Sequence, residues 1–227
     1  MLEKHLNQDT SHISSQVIRL NEIVQKFGSL LAASGMKINT RLRSTARKQI
    51  ATMELSQLTA LVNHFEKYVN LIEQAYNRKV NILDSKQLTW ACLQYLKLKP
   101  CHDAFDKIED DHVIEIYNND HIQIFRNLKF FELCSYSVYE ILIFDWPTLY
   151  YRDENILQEI FQQTQRALTE KLGTEFYSGI PPHILRERFS EEQRSFRIEM
   201  GMHSPLYNLD NSKQPEAVLL TLKATRI

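Results

Sequence analysis

Glycine is in short supply in this sequence, with 5 glycines among 227 residues. Loops that cradle nucleotide phosphates need several glycines close together, because only glycine lets the backbone come so near to the phosphate. Neither the G-x-G-x-x-G pattern nor the P-loop pattern occurs. The shortage therefore argues against a nucleotide site of either kind.

Cysteine is also scarce, and its three copies are Cys92, Cys101 and Cys134. An odd number at wide spacings is neither a disulfide framework nor the close pairing that zinc sites use. We expect three buried, reduced thiols. The sequence identifies no cofactor.

Net charge and long apolar runs are missing as well. The formal net charge is −1, which gives no general attraction to nucleic acid or to an anionic membrane. One basic cluster, at residues 41–48, is typical of a solvated face, so we expect no nucleic-acid partner. No apolar run approaches the roughly 20 residues of a membrane helix, and the polar amino terminus lacks a signal-peptide pattern. We therefore expect a soluble, cytoplasmic protein with no membrane partner, whose 43% hydrophobic residues form a packed core.

Apolar residues at intervals of three and four predict three helices before residue 100. They cover residues 13–31, 45–77 and 85–98, and Gly35 is a stop signal for the first. The length of the second stripe is typical of a helical hairpin, a bundle or a dimer seam. Two interpretations stay open: a helical cap on the following domain, or a coiled-coil-like module that forms a homodimer or grips a partner.

Period-two alternation replaces the helical spacing after residue 112. Residues 113–118 and 122–127 have a period of two, with alternate residues on opposite faces, and Asn118, Asn119 and Asp120 between them favour a turn. The pattern predicts a β-hairpin. Residues 128–141 return to helical spacing and predict short helices.

This stretch resembles the first half of a PAS sensory domain. That family opens with a hairpin, followed by an Asn, a short helix and a Gly-Tyr-Ser-x-x-Glu segment nine residues on. Here Asn127 and Tyr136 are nine residues apart, and Ser137 and Glu140 continue the match, with Ser135 in place of the glycine. The resemblance implies a cavity between a sheet and its helices in which a small apolar or aromatic ligand can sit.

The carboxyl-terminal part fits the second half of such a fold. A helix is predicted over 154–172, a short helix and exposed loop over 183–192, and strands over 195–203 and 217–225. In the first of these strands the alternation sets Met200 and Met202 on the apolar face and His203 on the polar face. We expect no output domain to follow the last strand.

The predicted fold class is α+β. A helical hairpin or bundle over residues 1–100 precedes a PAS-like domain over 101–227, with a five-stranded antiparallel sheet flanked by helices. The ligand-binding residues that the resemblance implies are Phe125, Asn127, Phe131, Tyr136, Trp146 and Met200. A core filled by bulky side chains is the alternative to a ligand cavity.

Catalytic and metal sites are not predicted. Glu132 and Glu140 are not grouped with a nucleophile, and Glu140 is expected to contact the backbone at a helix start or Arg126. The acidic segment 101–112 is rich in metal-ligand types, and His102 and Asp106 would share a helical face. Such segments are usually solvated, so no metal ligand is assigned.

Three functions follow from the sequence. The first is a non-catalytic PAS-like protein that senses a signal and regulates a partner or its own dimer through helix contacts. The second is a stand-alone helical scaffold or adaptor with an empty PAS-like fold. The third is a metal-dependent enzyme that uses the acidic segment near His102.

Overall fold

Helices and antiparallel strands both contribute to the fold, as the α+β class predicted. The computed structural model describes residues 2–101, 103–170, 175–210 and 213–227. Within these ranges the α-helices are α1 (Leu2–Ala33), α2 (Ser44–Thr52), α3 (Leu55–Asn77), α4 (Ser85–Tyr95), α5 (Lys129–Leu133), α6 (Val138–Ile143), α7 (Trp146–Leu149) and α8 (Glu154–Thr169). The strands are β1 (Leu98–Pro100), β2 (Val113–Asn118), β3 (Gln123–Arg126), β4 (Tyr150–Tyr151), β5 (Phe176–Tyr177), β6 (His183–Glu187), β7 (Ser195–Asn208) and β8 (Pro215–Arg226).

Two compact units share the chain. Unit 1 comprises Met1–Glu73 and Tyr136–Leu149, and unit 2 comprises Gln74–Ser135 and Tyr150–Ile227. Each unit is therefore built from two separate stretches of sequence. The predicted domain boundary at residue 100 stays a prediction.

In unit 1, α1 and α3 run parallel to each other. Arg19 pairs with Glu66, and Lys26 Nζ lies 2.8 Å from Glu73 Oε2, so both ion pairs join residues of the two helices in the same order along the chain. Phe27 packs edge-on against Phe65, with 5.6 Å between ring centroids. The apolar stripes of both helices are buried within a single chain.

The helix ends differ in part from the sequence prediction. Gly35 ends the first helix as expected, with φ at +90° and the Met36 N–H bonded back to the Leu31 carbonyl. The single helix predicted over 45–77 is wrong, because Met53 adopts extended backbone between α2 and α3. A side-chain contact from Gln57 Oε1 to the Glu54 N–H, at 3.1 Å, favours a new start there.

Hydrogen bonds hold the short helix α6 in place within unit 1. Its N-cap Ser137 accepts from the Glu140 N–H, while the Glu140 carboxylate accepts from the Ser137 N–H at 2.9 Å. Thr45 Oγ1 donates to Glu140 Oε1 at 2.7 Å, and the Val138 N–H donates to the Asn39 carbonyl at 2.8 Å. The predicted backbone contact of Glu140 at a helix start is thereby confirmed.

Unit 2 is organised around one antiparallel sheet. Its strand order is β3-β2-β8-β7-β6-β4, and β1 and β5 also pair with β7. The two predicted hairpins are therefore neighbours, since β2 pairs with both β3 and β8. With β1, β4 and β5, the described residues form eight strands, three more than the predicted five.

The short helix predicted within residues 183–192 is wrong, because residues 183–187 form strand β6. His183, Leu185 and Glu187 are buried, whereas Ile184 and Arg186 are exposed. Two of the three inward residues are polar and one outward residue is apolar. Buried and exposed residues therefore alternate regularly along β6, but apolar and polar residues do not, so the sequence pattern did not predict a strand.

Helix α8 covers one face of this sheet. Asp153 Oδ1 caps its start by accepting from the Asn155 N–H at 2.9 Å, and its buried Ala167 and Leu168 pack against Val218 and Leu220 of β8. The predicted start of this helix is confirmed, while its predicted end at 172 lies outside the described residues. The sheet face that Val218 and Leu220 share is called the α8 face below.

Candidate functional site

Charged side chains lie on the α8 face, where an apolar core is the usual content. Glu115 pairs with Arg126 on one side and with Leu220 on the other, and Tyr117 pairs with Val218. Because residues directly opposite in a sheet point to the same side, Glu115, Tyr117 and Arg126 share the α8 face. Strand β2, which lies between β3 and β8, thus directs the Glu115 carboxylate to the face that α8 covers.

The Glu115 carboxylate is held by an ion pair and a hydroxyl. Arg126 Nε and Nη2 lie 2.9 and 2.7 Å from Glu115 Oε1, and the two side chains are 6% and 3% exposed. Tyr117 donates its hydroxyl to Glu115 Oε2 at 2.9 Å and accepts from Gln123 Nε2 at 3.0 Å. The Arg126 guanidinium also stacks on Phe130, with its central carbon 3.8 Å from the ring centroid.

This environment fixes the protonation of the network. Burial raises the pKa of the Tyr117 hydroxyl well above its ordinary value, and the Glu115 charge raises it further. Burial alone would lower the pKa of Arg126, but the adjacent carboxylate outweighs burial and the pKa ends above its ordinary value. Tyr117 is therefore a neutral donor and Arg126 a permanent cation.

Arg152 has a second guanidinium group, whose charge interacts with Glu115, Tyr117 and Tyr150. It follows β4 directly and precedes the N-cap of α8. Burial lowers the pKa of Arg152 to about 10, although Glu115, Tyr117 and Tyr150 act in the opposite direction. Arg152 thus stays charged at pH 7 within the field of the Glu115 carboxylate. We call Glu115, Tyr117, Arg126 and Arg152 the polar cluster.

Two buried histidines share the α8 face. His183 pairs with Ile198 of β7, and its Nδ1 lies 3.2 Å from the Pro181 carbonyl. His203 pairs with Leu220, and its ring stacks on Phe176 with 5.1 Å between centroids. Among the described residues, His183 Nε2 and both ring nitrogens of His203 have no hydrogen-bond partner.

Both imidazoles are neutral at pH 7. Burial lowers the pKa of His203 to about 4. Burial, followed by the positive charge of Arg152, lowers the pKa of His183. The hydrogen bond to the Pro181 carbonyl and the negative charge of Asp153 act in the opposite direction, but the pKa stays below its ordinary value.

A β-bulge turns His203 toward this face, contrary to the expectation from strict alternation. The pairing of β7 with β8 shifts between Met200 and His203, so His203 follows Met200 on the α8 face. Gly201 lies at the shift, where an added Cβ would stand 2.5 Å from Thr221 Oγ1. A glycine inside an alternating strand was the signal for this reversal.

The predicted ligand-binding residues are distributed over the two units. Met200 lies on the α8 face, whereas Phe125 pairs with Ile116 and so faces the other side of the sheet. Phe131 packs edge-on against Phe130 in α5, with 6.3 Å between ring centroids. These three residues belong to unit 2.

The other three predicted residues have different surroundings. Asn127 of unit 2 is buried and satisfied: its Oδ1 accepts from the Ile114 N–H at 3.1 Å, and its Nδ2 donates to Ser85 Oγ and to the His112 carbonyl at 2.9 and 2.8 Å. Tyr136 and Trp146 lie in unit 1, where the Tyr136 hydroxyl donates to the Leu149 carbonyl. Ligand binding by this set of six stays a prediction.

The acidic segment gathers three potential metal ligands. The ligand atoms of Glu109, Asp111 and His112 lie within 4.8 Å of one another. Lys223 forms ion pairs with both carboxylates: its Nζ lies 2.6 Å from Glu109 Oε2 and 3.3 Å from Asp111 Oδ2. His112 Nδ1 accepts from the Glu109 N–H at 3.1 Å. His102, the residue on which the metal hypothesis centred, lies outside the described residues.

The three cysteines are buried, as expected. Burial raises the pKa of the Cys92 and Cys101 thiols, which disfavours the reactive thiolate. Within the described ranges, no helix is both long and apolar enough to span a membrane. No family model and no curated protein matches the sequence of this chain.

Proposed function

We propose that the chain is a non-catalytic, PAS-like sensing protein that binds a small ligand on the α8 face and regulates a partner or a second copy through helix contacts. The observation that carries the proposal is the polar cluster, a set of buried charges beneath a sheet covered by α8. Buried charges usually do not favour stability over apolar packing, so their presence calls for another role.

The arrangement of the sheet supports the PAS-like interpretation. Strands β3-β2-β8-β7-β6 form a contiguous five-stranded core in which the front and rear hairpins are neighbours. The segment between the hairpins contains short helices followed by the longer α8, in the order that the resemblance implies. Strands β1, β4 and β5 are then additions to this core.

The pKa values support binding rather than catalysis. A general acid or base works best with a pKa near the working pH. The pKa of His203 lies at about 4, Tyr117 is shifted further above its ordinary value, and Arg126 is held charged. These groups can orient a ligand, but they are poorly suited to exchange protons with it at pH 7.

Hydrogen bonds hold strand β6 within unit 2. Glu187 of β6 accepts from the Ser135 N–H at 2.7 Å and from the Ser135 hydroxyl at 2.5 Å. A ligand that displaces β6 would therefore act on Ser135, the last residue of unit 2 before the chain enters unit 1.

The second candidate is the stand-alone helical scaffold with an empty core. It is favoured by the internal satisfaction of Glu115, whose two oxygens already accept from Arg126 and Tyr117. In that case the parallel helices α1 and α3 would bind the partner. The same experiment separates the two candidates.

The proposal is tested by native mass spectrometry of the freshly purified chain, followed by light scattering over about a hundredfold range of concentration. We expect a small-molecule adduct that is lost on denaturation, and self-association or helix protection against hydrogen exchange that changes when the adduct is removed. An adduct-free protein whose assembly and exchange are unaffected by removal of small molecules would favour the scaffold and refute the sensing proposal.

A further inference from the structure

Helix α8 and strands β5 and β7 meet at the ring of Phe176. The imidazole of His203 lies parallel to this ring, with 5.1 Å between centroids and 6° between planes. The guanidinium carbon of Arg166, in the last turn of α8, lies 5.2 Å from the centroid of the same ring. Phe176 also packs against the apolar cluster that Ala167 and Leu168 form with β8. We call Arg166, Phe176 and His203 the stacked group, since it joins the end of α8 to the sheet.

The position of His203 suits a neutral imidazole. His203 is 0% exposed, and neither of its ring nitrogens has a hydrogen-bond partner among the described residues. The residue opposite it on β8 is Leu220, whose side chain has no polar group. A protonated imidazole has a positive charge and two N–H donors, and burial of such a group without a partner is costly. Proton uptake is therefore disfavoured for as long as His203 stays in the stack.

Charged and titratable residues occur on the elements that pack against His203. In α8 and β5 they are Arg166, Glu170, Glu175 and Tyr177. Arg166 has the same sign of charge as an imidazolium, and its Nε lies 2.8 Å from Glu170 Oε2. Glu175 and Tyr177 flank Phe176, so alternation directs them to the other side of β5, where Lys107 pairs with Glu175. The charge within the stacked group is thus positive and opposes protonation of His203.

The α8 face has four further titratable groups, which are Glu115 and Tyr117 of β2 and His183 and Glu187 of β6. Glu115 lies two strands from His203, on the far side of Leu220, and already pairs with Arg126. Glu187 accepts hydrogen bonds from Ser135, Ser190 and the Arg194 N–H. Each carboxylate near His203 in the described residues is therefore already bonded to another residue.

The pKa of His203 agrees with this geometry. Burial lowers the pKa to about 4, whereas a histidine in contact with water has a pKa of about 6.5. The buried, neutral form contributes its full stability above pH 6.5, and this contribution is lost as pH falls toward 4. Acid therefore favours any conformation in which His203 leaves the stack and contacts water.

We propose that protonation of His203 breaks its stack with Phe176 and opens β5 and the end of α8 from the sheet, while β2 and β8 stay paired. The opening is expected to be local because β5 pairs with β7 at only two residues, whereas β7 and β8 pair along most of their length. The stacked group is then an acid-sensitive contact that keeps the α8 face covered at neutral pH. This inference goes beyond the proposed sensing function and requires no ligand.

Hydrogen exchange of the full-length chain, measured by NMR at pH 7, 6 and 5, tests the proposal. Protection factors are compared, so that the effect of pH on the intrinsic exchange rate is removed. The reporters are the Glu170 N–H, bonded to the Arg166 carbonyl at 2.9 Å, and the Ser178 N–H, bonded to the Gly201 carbonyl at 2.8 Å. Their opening constants should rise about twentyfold from pH 7 to pH 5, as the two pKa values of His203 require.

A third amide serves as the internal control for global unfolding. The Asn127 N–H, bonded to the Ile114 carbonyl at 3.0 Å, lies between β2 and the end of β3. Its opening constant should change less than about threefold over the same range if the opening is local. Measurement stops at pH 5 because most carboxylates titrate below it.

Two variants assign the effect to one histidine. His203→Phe keeps an aromatic ring in the stack but cannot take up a proton, so the twentyfold rise at Glu170 and Ser178 should disappear. His121→Asn is the control, since His121 also contacts α8, with its Nε2 2.7 Å from Gln165 Oε1. Asparagine tolerates the positive φ of +58° at this position, and the rise should remain. If His203→Phe does not fold, the comparison of the three amides in the wild-type chain still tests local opening.

Several results would overturn the proposal. They are unchanged protection of Glu170 and Ser178 at pH 5, an equal loss at Asn127, and persistence of the rise in folded His203→Phe. Disappearance of the rise in His121→Asn would assign the acid response to His121 instead. None of these results affects the sensing function, which the native mass spectrum tests separately at neutral pH.

Discussion

The Glu115–Arg126 pair gives the sharpest test of the buried polar cluster, through Glu115→Gln. Glutamine keeps the shape of glutamate but removes its charge, so the guanidinium of Arg126 loses its carboxylate partner. One amide oxygen can still accept a hydrogen bond, from either Arg126 or Tyr117. The other position becomes an NH₂ group that faces a donor.

The expected magnitude follows from the burial of the pair. Glu115 and Arg126 side chains are 3% and 6% exposed, and removal of one partner of such a pair costs about 3–5 kcal/mol. We expect Glu115→Gln to lower the free energy of unfolding by about 3 kcal/mol, since one acceptor survives. Arg126→Met should cost about 1–2 kcal/mol, because the positive charge of Arg152 still acts on the carboxylate and methionine can pack on Phe130.

A double-mutant cycle separates coupling from loss of packing. The double variant Glu115→Gln/Arg126→Met should cost about 1–3 kcal/mol less than the sum of the single variants. Unfolding by urea is followed by fluorescence in a Trp146→Phe background, in which Trp90 of unit 2 is the remaining tryptophan of the 2 in the sequence. Additive effects, or a smaller cost for Glu115→Gln than for Arg126→Met, would refute the reasoning.

Three further substitutions test other parts of the fold. The pKa of His203 is lowered to about 4 from 6.5, so the unfolded chain takes up the proton first, and about 3 kcal/mol of stability is lost as pH falls from 6.5 to 4. His203→Phe should remove that part of the pH dependence in urea unfolding measured between pH 7 and 4. Asn127→Ala should cost about 2–4 kcal/mol and lower exchange protection of the Ile114 amide, since it strands two buried backbone groups. Glu140→Ala should cost about 2–3 kcal/mol and increase exchange in α6, through loss of the capping box and the Thr45 contact.

Each of these substitutions has an exposed counterpart in the same chain. His12→Gln, Asn63→Ala and Glu132→Ala alter exposed residues and should stay within about 0.5 kcal/mol of the wild type. If His203→Phe leaves the acid sensitivity unchanged, the histidine does not contribute as its burial indicates. If Asn127→Ala or Glu140→Ala is as mild as its counterpart, the corresponding hydrogen bonds are not significant for stability.

Local periodicity was enough to predict many of the elements. Residues 113–118 have a period of two, and Gly35 stands just beyond the end of α1. Each of these signals depends on neighbours in sequence, which is why it could be read without the fold. The hairpins followed from the same kind of signal, and their adjacency in the sheet came from the resemblance.

The polar cluster could not be predicted in the same way, because it depends on strands far apart in sequence. Alternation sets Glu115 and Tyr117 on one face of β2 but does not say which face is covered, and residues 113–116 are buried on both. Strand β6 was not predicted because two of its buried residues are polar. The bulge at Gly201 turns His203 to the face opposite to the one that strict alternation predicts. The extended residue at Met53 interrupted an otherwise continuous helical pattern, which periodicity alone cannot detect.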